Sequence, residues 1–175
     1  MSSLSENTVS DPRPSDRRFH TIVVHVENKA GVLARVAGLF ARRGFNIESL
    51  VVAPTEDDTI SRLTIMVDQD SAPIEQIVKQ TDKLINVVEI ADLAPGDAVE
   101  RELILVTVAS DVADRGSILD AVADFAPTVI DSSDSHVMLS FSGRPARVED
   151  FENILRAYEI VDLQRTGRVA LPHLS

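Results

Sequence analysis

Ile22, Val24 and Val26 alternate with Val23, His25 and Glu27. That period of two predicts a strand with one strongly apolar face. After the loop Glu27-Asn28-Lys29-Ala30-Gly31 the period changes. Val32, Leu33, Val36, Leu39 and Phe40 recur at helical spacing, with Arg35, Arg42 and Arg43 on the other side. Gly38 inside this helix costs about 1 kcal/mol relative to alanine. It marks either a close approach of another backbone or a tolerated glycine. Gly44 lies where a left-handed helix stop belongs, and Arg42 and Arg43 suit the negative end of the helix dipole. Residues 46–53, ended by Pro54, and residues 60–67 predict two strands around the polar turn Pro54-Thr55-Glu56-Asp57-Asp58-Thr59, an antiparallel hairpin. A second helix is expected over about 71–84, with Ile74, Ile77, Val78 and Leu84 as its stripe, and a fourth strand over 87–93. The order is βαββαβ, the ferredoxin-like split unit.

The same order then returns. Ala94-Pro95-Gly96-Asp97 has turn chemistry. Residues 103–109 read as a near-continuous apolar strand, and 114–126 as a helix on Ile118, Val122 and Phe125 that Pro127 stops. Residues 128–131 and 136–141 form a hairpin around Ser132-Ser133-Asp134-Ser135. Val148, Phe151, Leu155 and Tyr158 mark a helix begun near Pro145, and 160–165 a closing strand. The expected architecture is α+β: two tandem ferredoxin-like units of roughly 70 residues each. Residues 1–18, rich in Ser, Asp and Pro, read as a disordered tail, 19–94 as the first domain, 95–101 as a linker and 102–175 as the second domain. Domains this small expose sheet edges and bury little core, which predicts pairing of chains about a two-fold axis.

Composition narrows the function more than the fold. With 28 acidic against 17 basic residues the net charge is −11. That argues against nucleic-acid binding, which needs a basic face. Arg13, Arg17, Arg18 and His20 are a thin basic cluster that reads as a solvated arm. There is no cysteine, which removes disulfides and thiolate chemistry and suits a cytoplasmic setting. No apolar run approaches the roughly 20 residues of a membrane span, and the N-terminus has no signal-like apolar stretch. The four histidines, at 20, 25, 136 and 173, show no metal-binding spacing, and no GxSxG, P-loop or GxGxxG occurs. Glu56-Asp57-Asp58 reads as an exposed acidic turn rather than a cation site. No catalytic constellation emerges.

The loop before the first helix carries the chemistry that remains. The first N–H groups of a helix lack internal partners and suit a small anion. Asn28 can both donate and accept, so it can bridge an amino acid's carboxylate and ammonium, and Gly31 lets a ligand reach the backbone. The amides of about Ala30, Gly31, Val32 and Leu33 would hold the carboxylate, and Asn46 could be offered by a second chain. An equal reading has Asn28 capping the helix and Gly31 serving only packing. The second unit's equivalent loop, Ser110-Asp111-Val112-Ala113-Asp114-Arg115-Gly116, lacks the pattern.

The run ENKAGVLARVAGLFARRGFNIESLVVAPTEDDTISRLTI closely resembles the regulatory (small) subunits of acetolactate synthase, also called acetohydroxyacid synthase. The likeness continues through Glu75 to Gln80, Lys83-Leu84 and Arg101-Glu102-Leu103, and more loosely to Arg165-Thr166-Gly167. It implies an ACT domain in the first half and no active site of its own. It implies a large catalytic partner that uses thiamine diphosphate, Mg2+ and FAD to join two pyruvates, or pyruvate and 2-oxobutyrate. The small subunit would activate that partner and confer feedback inhibition by valine. The effector would sit between two ACT domains of a homodimer, on Asn28 and Gly31 of one and Asn46 of the other. Val32, Leu33 and Ile47 would surround its side chain. A free-standing tandem amino-acid sensor acting on another protein is the alternative.

Overall fold

Two open antiparallel sheets, each with two helices against one face, account for most of the described residues. The structure is a computed structural model and describes residues 19–68, 73–94 and 96–174. The first unit contains β1 (Phe19–Glu27), α1 (Val32–Arg42), β2 (Ile47–Pro54), β3 (Ile60–Asp68), α2 (Ile74–Thr81) and β4 (Val87–Leu93). The second contains β5 (Ala98–Ala109), α3 (Arg115–Ala121), β6 (Thr128–Ser132), β7 (His136–Gly143), α4 (Pro145–Leu155) and β8 (Ile160–Arg165), followed by β9 (Val169–Pro172). The sheets run β2-β3-β1-β4 and β6-β7-β5-β8, so each unit is a ferredoxin-like βαββαβ fold. The expected tail, residues 1–18, lies outside the described residues.

The α1 stripe buries Val32, Val36 and Phe40 against Ile22, Val24 and Val26 of β1 and Leu63, Ile65 and Val67 of β3. Leu33, counted on that stripe by spacing, is instead 42% exposed. Gly44 has φ 73 and ends the helix. Its amide reaches Ala41 O at 3.1 Å and the Phe45 amide reaches Phe40 O at 3.1 Å, with the two phenyl rings 6.1 Å apart edge to face. That is a Schellman stop with its hydrophobic contact. Gly38 meets no foreign backbone, since an added Cβ would touch only Arg42 Nη1 at 3.3 Å. It is a tolerated glycine. The second core joins Ile104, Val106, Val108, Val137 and Leu139 to Ile118, Val148 and Leu155, with Phe125, Phe141 and Phe151 packed at 5.2–5.4 Å.

Four element boundaries depart from the sequence pattern. Helix α2 starts only at Ile74, because Pro73 stands at its cap with extended backbone and disfavours helix before it. The expected long third helix stops at Ala121 and continues as a 3-10 turn over Ala123–Phe125. Pro127 forbids continuation, and Ala126 turns left-handed at φ 47. Most of the expected 95–101 linker is strand, since β5 begins at Ala98. Strand β9 was not foreseen: it is four residues long, and it pairs with residues 98–101 of β5.

The β5–β9 ribbon covers the other face of the first sheet. Thr21, Val23, Thr64 and Met66 point away from the helices, yet all are buried. Thr21 Oγ1 donates to Glu100 Oε1 at 2.8 Å, and Arg62 Nη2 donates to Ala170 O at 2.7 Å. Below the ribbon, Arg165 donates to both Glu102 oxygens at 2.9 and 2.7 Å and to Glu152 Oε2 at 3.2 Å. These bonds, led by Glu102, hold the Arg165 guanidinium above its ordinary value against the opposing cost of burial. Glu102 and Glu152 are 5% and 7% exposed, so they need this cation. In Arg165→Met, buried Glu102 loses its bidentate partner and buried Glu152 loses one of its two arginines. The expected cost in urea unfolding at neutral pH is about 3 kcal/mol, the lower end for a broken buried pair, because Arg165 is itself part-exposed and Arg156 still serves Glu152. A loss near zero would show that the cluster is not needed for stability.

Candidate functional site

The 28–31 loop is pinned from two sides. The Glu27 amide donates to Asn86 O at 2.9 Å, and the Asn28 amide donates to Thr59 O at 2.7 Å. Asn28 Nδ2 donates to Asp58 O at 2.8 Å, which ties the loop to the β2–β3 turn. Arg35 Nη1 donates to Asn86 Oδ1 at 2.6 Å, and Asn86 Nδ2 donates to Glu27 Oε2. Asn86 therefore joins β1, α1 and the start of β4. It was missed from the sequence because its partners are distant along the chain. The only local signal is a polar residue set between Ile85 and Val87 at a strand start.

Helix α1 has no side-chain cap; its cap position is Gly31, left-handed at φ 82. Asn28 therefore does not cap the helix, and a Cβ placed on Gly31 would meet no atom of the described residues within 4 Å beyond its chain neighbours. The Val32 amide turns back to Lys29 O at 3.3 Å, and the Arg35 amide to Gly31 O at 3.1 Å. Among the described residues no hydrogen bond takes the amides of Ala30, Gly31, Leu33 or Ala34. No acidic residue occupies the first turn to neutralise them. The positive end of an 11-residue helix is thus left open to solvent, which is suited to a carboxylate.

The remaining predicted site residues fall in different places. Leu33 is exposed beside the open amides, whereas Val32 is buried in the core, so only its backbone faces the loop. Ile47 is part-buried and packs on the same core. Asn46 is exposed, but it lies beyond the far end of α1, about 16 Å from the loop at 1.5 Å per residue. One chain brings together Asn28, Ala30, Gly31, Val32 and Leu33 and leaves Asn46 and Ile47 apart. Two cavities of the surface lie elsewhere: about 400 Å³ beside Ser49 and Arg165, and about 1030 Å³ between the ribbon and His25, Arg62 and Thr64. Among the described residues no group of three or more His, Asp or Glu is placed to hold a metal ion.

Two carboxylates around the loop are shifted by these contacts. Hydrogen bonds from Asn86 and then Lys29 hold the Glu27 carboxyl below its usual range. The Thr59 hydroxyl and then its amide do the same for Asp57. Both folded values lie below the unfolded ones. The stabilisation is therefore complete above the ordinary carboxylate range and is lost as pH falls through the lowered values. Wild type should melt above Glu27→Gln and Asp57→Asn at pH 7, and the gap should close on acidification below about pH 4. A gap that widens in acid would contradict this assignment.

The comparisons with known proteins point one way. Residues 22–89 match the family described as the AHAS small subunit-like ACT domain, and residues 101–173 match the small subunit of acetolactate synthase. A probable acetolactate synthase small subunit of Archaeoglobus fulgidus is 45% identical over 152 residues, covering 87% of this chain and 95% of its own length. The acetolactate synthase small subunit of Mycolicibacterium smegmatis is 43% identical over 152 residues, 87% of this chain and 89% of its own. The crystal structure of the acetolactate synthase small subunit from Thermotoga maritima superposes with a TM-score of 0.82 at 40% identity, over 90% of this chain and 99% of that one. Matched in both halves and along nearly the full length of these relatives, the chain belongs to the acetolactate synthase small-subunit family, with an ACT domain as its first unit.

Proposed function

We propose that this chain regulates an acetolactate synthase catalytic subunit, raising its activity and making it sensitive to valine as a feedback inhibitor. The observation that carries the effector half of this reading is the set of open amides at the start of α1, which no side chain among the described residues neutralises. The effector's carboxylate meets those amides, and Asn28, whose Oδ1 has no partner among the described residues, takes the ammonium. Asn46 comes from a second copy. Two copies of α1 related by a two-fold axis perpendicular to the helix run antiparallel, so the loop at the start of one faces the end of the other. β2 is an edge strand whose unpaired backbone groups such a pairing would use. Exposed Leu33 then lies at the junction and touches the effector side chain.

The chemistry belongs to the catalytic partner, which supplies thiamine diphosphate, Mg2+ and FAD in the cytoplasm. The small subunit acts by linkage: valine binds one arrangement of the ACT pair better, and a coupling of about 1–3 kcal/mol biases the partner. Leucine and isoleucine differ from valine by one methylene or its position, worth about 1–3 kcal/mol, so their titration beside valine ranks the effectors.

In Gly31→Asp a carboxylate would occupy the amides, and an L-residue at φ 82 adds about 1–2 kcal/mol of strain. The reconstituted holoenzyme carrying it should still be activated, but its valine midpoint should rise more than tenfold, about 1.4 kcal/mol or more. Gly31→Ala, which meets no atom within 4 Å, separates strain from charge. Unchanged inhibition in Gly31→Asp would remove the loop from the site. Isolated chain should show no turnover of pyruvate, and purification from its own cell should bring the catalytic subunit with it. A different partner would favour the free-standing sensor.

A further inference from the structure

Strand β2 connects two places that matter. Its first residue, Ile47, follows Asn46 directly, and two residues later Ser49 touches the second half of the chain. The Arg168 amide donates to Ser49 Oγ at 3.2 Å. Gly167, left-handed at φ 81, lies so close that an added Cβ would be 2.6 Å from Ser49 Oγ and 3.0 Å from Val51 Cγ2. The corner between β8 and β9 is therefore packed, backbone first, on β2.

On its other side this corner is fastened to the second unit. Arg165 holds Glu102 of β5 and Glu152 of α4. The Thr166 amide donates to Leu103 O at 3.0 Å, and Thr166 Oγ1 accepts from the Leu103 amide at 3.1 Å. Arg168 Nη1 lies 3.5 Å from Glu100, the residue that receives Thr21. β2 is bulged where it approaches this corner. Its ladder with β3 shifts register between Ile47 and Ser49, so Glu48 is an extra residue there. A cleft of about 400 Å³ lined by Glu48, Ser49, Leu50 and residues 165–168 leaves room for movement.

We infer that the Ser49–Gly167 contact is the strut by which the effector state of the ACT domain reaches the second unit; this rests on the effector site proposed above. A displacement of Asn46 and Ile47 on ligand binding moves the bulged start of β2. The close-packed corner at Gly167 follows, and Arg165 carries the shift to β5 and α4. Ser49 and Gly167 are positioning residues and touch no effector.

The test uses full-length small subunit, reconstituted with its catalytic subunit, as wild type, Ser49→Ala, Gly167→Ala and the double variant. Valine binding to the small subunit alone is read by calorimetry, and activation and inhibition are read in the complex. Ser49→Ala should bind valine and activate as wild type does, while its inhibition midpoint rises about fivefold or more, the lower end of coupling between sites. Both substitutions act on one contact, so the double variant should lose no more than Gly167→Ala alone. Inhibition of both single variants at the wild-type midpoint, or losses that add, would overturn the strut while leaving the effector site standing. Wild-type protein that neither binds valine nor confers inhibition would instead overturn the effector site, and this inference with it.

Discussion

A four-stranded sheet has two faces, and β1 of the first unit is buried on both. Ile22, Val23 and Val24 are each at most 1% exposed. The helices α1 and α2 can cover only one of those faces, so something must cover the other. The β5–β9 ribbon does so, and this requirement organises the rest of the molecule. It brings the end of the chain back onto the beginning, and it places the β8–β9 corner on β2. It also sets arginines beside part-buried Glu100 and beside Glu102, whose burial they make tolerable. The two units are folded separately by pattern and joined by a shared layer.

That layer is also where the sequence was hardest to read. The core positions of β1, α1 and β3 were legible because they recur at fixed spacing, and Gly44 announced its Schellman stop through local chemistry alone. Glu100 and Glu102 interrupted the apolar run of β5, so its first residues looked like linker. Their compensation comes from Arg165 and Arg168, more than 60 residues away, which no local window includes. Val169–Pro172 is too short for alternation to be counted. Leu33 shows the converse error: it has the right spacing for the core and is exposed, because Val32 and Val36 already fill the stripe.

The loop was legible for a different reason. A helix start needs only a few consecutive residues, and Asn28 to Gly31 supply them. What spacing left open was whether Asn28 is used up as a cap. The geometry answers through a long-range contact: its side chain bonds to Asp58 O, and Gly31 takes the cap position with no side chain to offer. The amides stay unfilled because the fold holds the loop from outside, through Thr59, Asp58 and Asn86, rather than from within.

The ribbon also sets an order of events when the protein is made. Val23, Thr64 and Met66 emerge early, but the ribbon over them is completed only by β9, which is synthesised after every other element described here. Until then Val23 and Met66 of the ACT sheet face water and other nascent chains, the kind of surface that recruits chaperones or mispairs. The first domain begins folding first and finishes last.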